Sequence, residues 1–156
     1  MKAHNQYPTT YHRTLHEFLD RTYGEDNSFY TFIRASHLYT PKYAYSMWAG
    51  DQTMDFDPHN GLPTCIVNML SSGLVGFSNT HCDVGGYIHL AAGPYTHSDR
   101  NDNLMIQWMQ LAAFSPVFRT HEGNHPESLQ VYSNPTMRKN FSLYTTLFSL
   151  LSNYRK

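Results

Sequence analysis

Cysteine is scarce: Cys65 and Cys82 are the only two in 156 residues, too few for a disulfide framework. They read as ordinary reduced thiols, and redox chemistry is not indicated. Charge of one sign is not in excess either, since eleven Lys and Arg stand against twelve Asp and Glu. That balance gives no basic face for nucleic acid or an anionic membrane surface. No run approaches the ~20 consecutive apolar residues of a membrane span, and the opening "MKAHNQYP" lacks the apolar core of a signal peptide. Neither nucleic acid nor membrane is therefore expected as a partner, and the compartment stays open. Internal repeats, low-complexity blocks and long charge runs are also missing, so one domain with one core is the expectation at this length.

What is abundant is aromatic side chain, at 15% of the residues, and histidine, at ten, while charged residues are also held to 15%. Such a surface suits ligands gripped by ring faces and neutral hydrogen bonds, sugars for instance, although rings are equally good core material.

Along the chain, helical and strand-like segments alternate. Tyr11, Leu15, Phe18, Leu19 and Thr22 recur at helical spacing, after Thr9 and Thr10 as possible N-caps and before Gly24 as a stop. "SFYTFIRA" and "YAYSMWAG" are β-branched and aromatic and read as buried strands. Asn60-Gly61-Leu62-Pro63 opens a helix carrying Ile66, Val67, Met69 and Leu70, and "LVGFSN" is expected as the next strand. Leu104, Trp108, Leu111 and Ala112 mark one face of a further helix, followed by the strand "SPVFRTH". The last helix is expected to begin at Asn134-Pro135, a cap followed by proline at the first helical position. Near-continuous apolar strands between helices predict a parallel α/β sheet of about four strands covered by helices.

In such folds functional groups gather at the carboxyl ends of strands. Here those ends carry Arg34, then Trp48-Ala49-Gly50-Asp51-Gln52, then His81-Cys82-Asp83-Val84-Gly85-Gly86-Tyr87, then Arg119-Thr120-His121-Glu122. Each signal alone has an ordinary explanation: Gly-Asp and Asp-x-Gly-Gly make turns, and rings pack. No metal or other cofactor is expected. His81, Asp83, His89, His97, His121 and His125 are numerous, yet they form no His-x-x-x-His pair on a helix, and there is no Cys-x-x-Cys. A Cys82–His81 nucleophile is disfavoured because adjacent residues on an extended segment point to opposite sides.

The ordered set "FIRAS…YAYSMWAGDQ…GLPTCIVNMLSSGLVGFSNTHCDVGGY…IQWMQLAAFSPVFRTHEGN" resembles the catalytic barrel of glycoside hydrolase family 31, the retaining α-glycosidases. The variants "WAGDQ", "DVGGY" and "RTHEGN" are most similar to the sulfoquinovosidase branch. The resemblance implies that residues 1–156 form the C-terminal half of a (β/α)8 barrel, about strands five to eight with their helices. It implies a carbohydrate substrate, an α-sulfoquinovoside or an α-glucoside, and a general acid/base at Asp51. Arg34 and His121 would then bond sugar hydroxyls, Trp48 would form part of the wall, Asp83 would shape the site, and Tyr87 would help read a sulfonate head. An acid of this kind works best where its charged form is disfavoured, as burial beside a ring such as Trp48 provides.

A retaining hydrolase also needs an attacking carboxylate about 5 to 5.5 Å from the acid. In the family it lies at the end of the fourth strand, ahead of the segment matched by "HNQYP". The expectation is that it falls outside this chain, together with the N-terminal half of the barrel that would be its partner. Asp55 and Asp57 are read as turn residues rather than substitutes. The competing expectation is a noncatalytic chain that holds a sugar weakly.

Overall fold

A computed structural model of the protein describes residues 2–90 and 98–155; His97, among the histidines named above, lies outside them. The element order is α1 (Lys2–Tyr23), β1 (Phe32–Ile33), a 3-10 turn (Thr40–Lys42), β2 (Ser46–Trp48), α2 (Leu62–Leu74), β3 (Thr80–His81), β4 (Asp83–Val84), α3 (Asp102–Phe114), β5 (Arg119–Thr120) and α4 (Pro135–Leu150). All strand pairs are parallel. β1 pairs with β2 and β2 with β3, Trp48 lying opposite His81; β4 pairs with β5, Asp83 opposite Arg119. β3 and β4 are one run of chain broken at Cys82, so the strands follow a curved path in which β2 and β5 flank the same segment on successive stretches. This is the parallel, helix-covered arrangement expected of part of a (β/α)8 barrel.

Local signals set most helix ends. Asn134 caps α4 by accepting from the Met137 N–H at 2.8 Å, with Pro135 behind it. Asn101 does the same for α3 through the Leu104 N–H at 3.0 Å. α2 starts at Leu62 after Gly61, with Pro63 in its first turn.

Three expectations need correcting. "LVGFSN" is not a strand. The Phe77 N–H reaches the Ser72 carbonyl at 2.9 Å and the Gly76 N–H that of Gly73 at 3.2 Å, with Gly76 at φ +99°. This is the paired closing turn of α2, and the strand starts only at Thr80. Thr9 and Thr10 do not cap α1, which already runs from Lys2 through Pro8. The Thr9 hydroxyl is instead engaged with that of Thr40 at 2.8 Å, and that of Thr14 with the Thr10 carbonyl at 3.0 Å. Finally, the first two strands are not buried throughout: Ile33, Ala44 and Ser46 are buried, but Phe32 and Tyr45 are exposed, because successive side chains of an extended segment point to opposite faces.

The main core fills the space between β2–β5 and helices α2, α3 and α4. Met54, Leu62, Cys65, Cys82, Val84, Leu104, Met105, Trp108, Met109, Ala112 and Met137 are buried there. A smaller cluster, Ile33, Ala44 and Phe77, sits under β1. Outside these, α2 presents Ile66, Val67, Leu70 and Leu74 to solvent, and α1 presents Tyr7, Tyr11 and Phe18.

Candidate active site

The carboxyl ends of the strands bring the expected residues together. β2 delivers Trp48, whose neighbour Ala49 still donates its N–H to the His81 carbonyl at 2.9 Å. Gly50 then turns the chain at φ +97°, a conformation that costs a side-chain-bearing residue roughly 1–2 kcal/mol. Behind this turn one carboxylate oxygen of Asp51 meets the Arg34 guanidinium at 3.2 Å, and the other, Oδ1, is buried with no hydrogen-bond partner. Arg34 lies over the Trp48 ring, its Cζ 4.8 Å from the ring centroid. With side chains 62% and 22% exposed, this ion pair adds at most about 1 kcal/mol to stability; its effect is to orient the carboxylate.

Arg119, at the start of β5, approaches the same tryptophan, its Cζ 5.2 Å from the centroid of Trp48 and 5.2 Å from that of Phe32. Its guanidinium donates to Asp83, which is fully buried. Burial pushes the Asp83 carboxyl above its usual range, and the Arg119 and His121 charges pull against it, while Asp51 pushes the same way as burial. His81, also fully buried, sits behind with its ring 5.2 Å from that of Phe32 and its Nδ1 3.2 Å from the Ser46 hydroxyl. Desolvation, helped by the Arg119 charge, holds it near a pKa of about 4, so it is neutral at physiological pH.

Tyr87 and His121 form the third part, their rings edge to face at 5.0 Å. The loops carrying them are fastened from below by Arg100, which is buried. Its side chain donates to the carbonyls of Gly85 (3.1 Å), Gly86 (2.6 Å) and His121 (2.8 Å) and to Gln130 Oε1 (2.9 Å). The Gln52 carbonyl accepts from the N–H groups of Tyr87 and Ile88 at 2.8 and 2.9 Å, tying the loop after β2 to the loop after β4. Gly86, at φ +78°, passes so close to this crossing that an added Cβ would lie 2.7 Å from the Thr53 carbonyl oxygen.

Arg34, Trp48 and Asp51 thus form one contact group, Asp83 joins it through Arg119, and Tyr87 with His121 closes the rim. Six of the ten buried side-chain atoms left without a hydrogen bond among the described residues belong to this region: Trp48 Nε1, Asp51 Oδ1, Gln52 Oε1, His81 Nε2, Asp83 Oδ2 and Arg119 Nε. Buried polar atoms are normally paired, and their concentration here sets this region apart from the rest of the described residues. Asp55 and Asp57 do not join it. Asp55 accepts from the Thr53 hydroxyl at 2.7 Å and the Asp57 N–H at 3.0 Å. Asp57 accepts from the N–H groups of His59 and Asn60, which makes both part of the turn into α2.

Sequence reasoning missed Arg100 and did not select Arg119. Arg119 stood at a strand end and could have been chosen on that ground; Arg100 sits in "HSDRNDN", which has the look of a solvated loop. Around Asp51 the carboxylates already face guanidinium groups, a setting that does not favour a cation. The grouping of metal-type donors among the described residues lies elsewhere, at His89, Asp99 and His125.

The family profile of the glycosyl hydrolases family 31 TIM-barrel domain matches residues 1–151. A sulfoquinovosidase of Agrobacterium fabrum is 35% identical over 154 residues, 98% of this chain and 22% of that protein. One of Escherichia coli is 33% identical over the same shares. The solved structure of a family 31 sulfoquinovosidase from E. rectale, in complex with an aza-sugar inhibitor, superposes with a TM-score of 0.85 at 33% identity, over 98% of this chain and 22% of that one. The chain therefore spans about a fifth of the length of these relatives. On the profile match and this shared sequence and structure, the chain belongs to glycoside hydrolase family 31.

Proposed function

We propose that these residues form the acid/base side of the active site of a retaining α-glycosidase, with an α-sulfoquinovoside as substrate in preference to an α-glucoside. The observation that carries this is the placement of Asp51. It stands behind a glycine turn, one oxygen fixed by Arg34, which itself lies over the Trp48 ring, and the other buried and unbonded. Asp51 would protonate the glycosidic oxygen as the bond breaks, then take a proton from the water that releases the sugar. Arg34 and His121 would hold sugar hydroxyls, Trp48 would pack against the ring, and Asp83, held by Arg119, would keep the floor in shape. Tyr87 would donate its hydroxyl to the sulfonate.

At the strand ends Arg34 and Arg119 are matched by Asp51 and Asp83, and the charge balance does not choose between substrates. One point favours the anionic sugar: the relatives from A. fabrum and E. coli are named sulfoquinovosidases. In this reading β1, β2, β3–β4 and β5 correspond to barrel strands five to eight, and residues 1–156 to the C-terminal half of the barrel. The attacking carboxylate would come from the end of strand four, in sequence ahead of "HNQYP", about 5 to 5.5 Å from Asp51. The engagement of Asp55 and Asp57 in their own turn supports looking for it there.

The test compares 4-nitrophenyl α-sulfoquinovoside with 4-nitrophenyl α-glucoside in a protein that also carries the upstream strands, following the first-formed anomer by NMR. The expected result is kcat/KM higher for the sulfoquinovoside by at least about tenfold, equivalent to ~1.4 kcal/mol, with the α-anomer appearing first. Equal rates would remove the substrate assignment, and a β-anomer first would remove the mechanism.

A further inference from the structure

The loops that carry Tyr87 and His121 hold a second cluster of polar groups away from Asp51. His89 follows Tyr87 by two positions, His125 follows His121 by four, and Asp99 precedes the buried Arg100. The His89 and His125 rings stack at 4.3 Å with 28° between their planes, and His125 Nδ1 lies 3.9 Å from Asp99 Oδ1. One potential ligand atom from each of the three residues lies within 4.8 Å of the other two.

The hydrogen bonding of the cluster is what separates it from a chance encounter of surface side chains. His89 Nδ1 is 2.5 Å from the Ser98 carbonyl, so it carries the proton and donates, which leaves the Nε2 lone pair free. A metal-bound histidine is commonly held in this way, one ring nitrogen on a backbone carbonyl and the other on the ion. His125 Nδ1 is buried and has no hydrogen-bond partner. Asp99 is fixed from behind by the Ser128 hydroxyl and by the Arg100 backbone N–H at 2.7 Å, the outer support that ligating carboxylates need. Local spacing could not reveal the set, because its members are brought together by two separate loops.

We propose that His89, Asp99 and His125 bind one divalent transition-metal ion of the zinc class. Two imidazoles and one carboxylate suit zinc, cobalt, nickel or copper and are poor ligands for magnesium or calcium, which prefer oxygen alone. Zinc–nitrogen bonds of about 2.0–2.1 Å place tetrahedral ligand atoms roughly 3.3 Å apart. Binding would draw the ligand atoms in from their present spread of up to 4.8 Å. Three protein ligands leave a fourth position for water.

The ion would tie together two loops that are already laced by Asn124. Its N–H donates to the Tyr87 carbonyl at 2.9 Å, its Oδ1 accepts from the His89 N–H at 2.7 Å, and its Nδ2 reaches the His89 carbonyl at 3.4 Å. Binding would stiffen the rim that presents Tyr87 and His121, and it stands whether or not the glycosidase assignment does.

The experiment titrates the chelator-stripped protein with Zn2+ against a chromophoric chelator, and with Cu2+ followed by electron paramagnetic resonance. Expected are one Zn2+ per chain at micromolar Kd or tighter and a Cu2+ spectrum with coupling to two nitrogens. Kd should rise by at least about a hundredfold for His89→Ala and for His125→Ala, and by about tenfold for Asp99→Asn. His59→Ala, an exposed histidine outside the cluster, should leave Kd unchanged. Circular dichroism checks that each variant is folded, and the copper spectrum of the unaltered protein decides the matter if one is not. Absence of one-to-one binding, a copper spectrum without two nitrogens, or affinity retained in folded His89→Ala and His125→Ala would each overturn the proposal.

Discussion

Around β3, β4 and β5 the chain buries its polar groups and ties them down: His81 and Asp83 are fully enclosed, and Arg100 clasps three backbone carbonyls of the surrounding loops. Around α1 and β1 the reverse holds. Tyr7, Tyr11, Phe18 and Phe32 stand in solvent, and among the described residues the buried apolar cluster near β1 is the small one of Ile33, Ala44 and Phe77. Large exposed rings in a row are unusual for a free surface. The region near β5 has its own core in the packing of α3 against α4. The region near β1 has an apolar exterior fit to be covered. The site lies at the junction, with Arg34 contributed by the looser side and Asp83, Tyr87 and His121 by the firmer one.

This contrast can be broken at its firm end first. Replacing Arg100 with Leu strands three carbonyls and Gln130 without their donor; at about 1–3 kcal/mol for each unsatisfied buried group, relieved in part by water, we expect a loss of ~4 kcal/mol in urea unfolding. Next comes pH. His81 is neutral in the folded protein down to a pKa of about 4, against 6.5 for an ordinary histidine. Its contribution to stability is therefore complete above pH 6.5 and lost as pH falls toward 4, because the unfolded chain takes up the proton first. The full loss is about 3 kcal/mol, seen as a falling unfolding midpoint that His81→Asn should flatten. At the loose end, Phe18→Ser in this chain should change stability by no more than about 0.5 kcal/mol, since the ring is 54% exposed. A loss above ~2 kcal/mol would mean that α1 is packed as firmly as the rest.

What could be read in the sequence follows the same division between local and distant causes. The starts of α2 and α4 were legible, because Gly61 with Pro63 and the Asn134 cap with Pro135 act within four residues; the Asn101 cap of α3 acts as locally but was not singled out. The end of α2 was not, because Val75 and Phe77 have strand-like character while Gly76 closes the helix beneath them. Asp51, Trp48, Asp83, Tyr87 and His121 were selected through motif resemblance, with strand-end placement as the physical support. Arg100 and the His89–Asp99–His125 cluster were not found, since each depends on chain segments 10 or more residues apart meeting in space, and no spacing rule encodes that. Arg119 was visible at a strand end and was not selected, since its pairing with Asp83 and its approach to Trp48 appear only when the strands are side by side.

The central claim is that Asp51 moves the proton. In a protein carrying the upstream strands, Asp51→Asn should slow hydrolysis of an alkyl α-sulfoquinovoside, whose leaving group needs protonation, by about 10²–10⁴-fold. Bond cleavage in the 4-nitrophenyl substrate, whose leaving group does not, should be affected far less. Equal losses on both substrates, or none on either, would contradict the account.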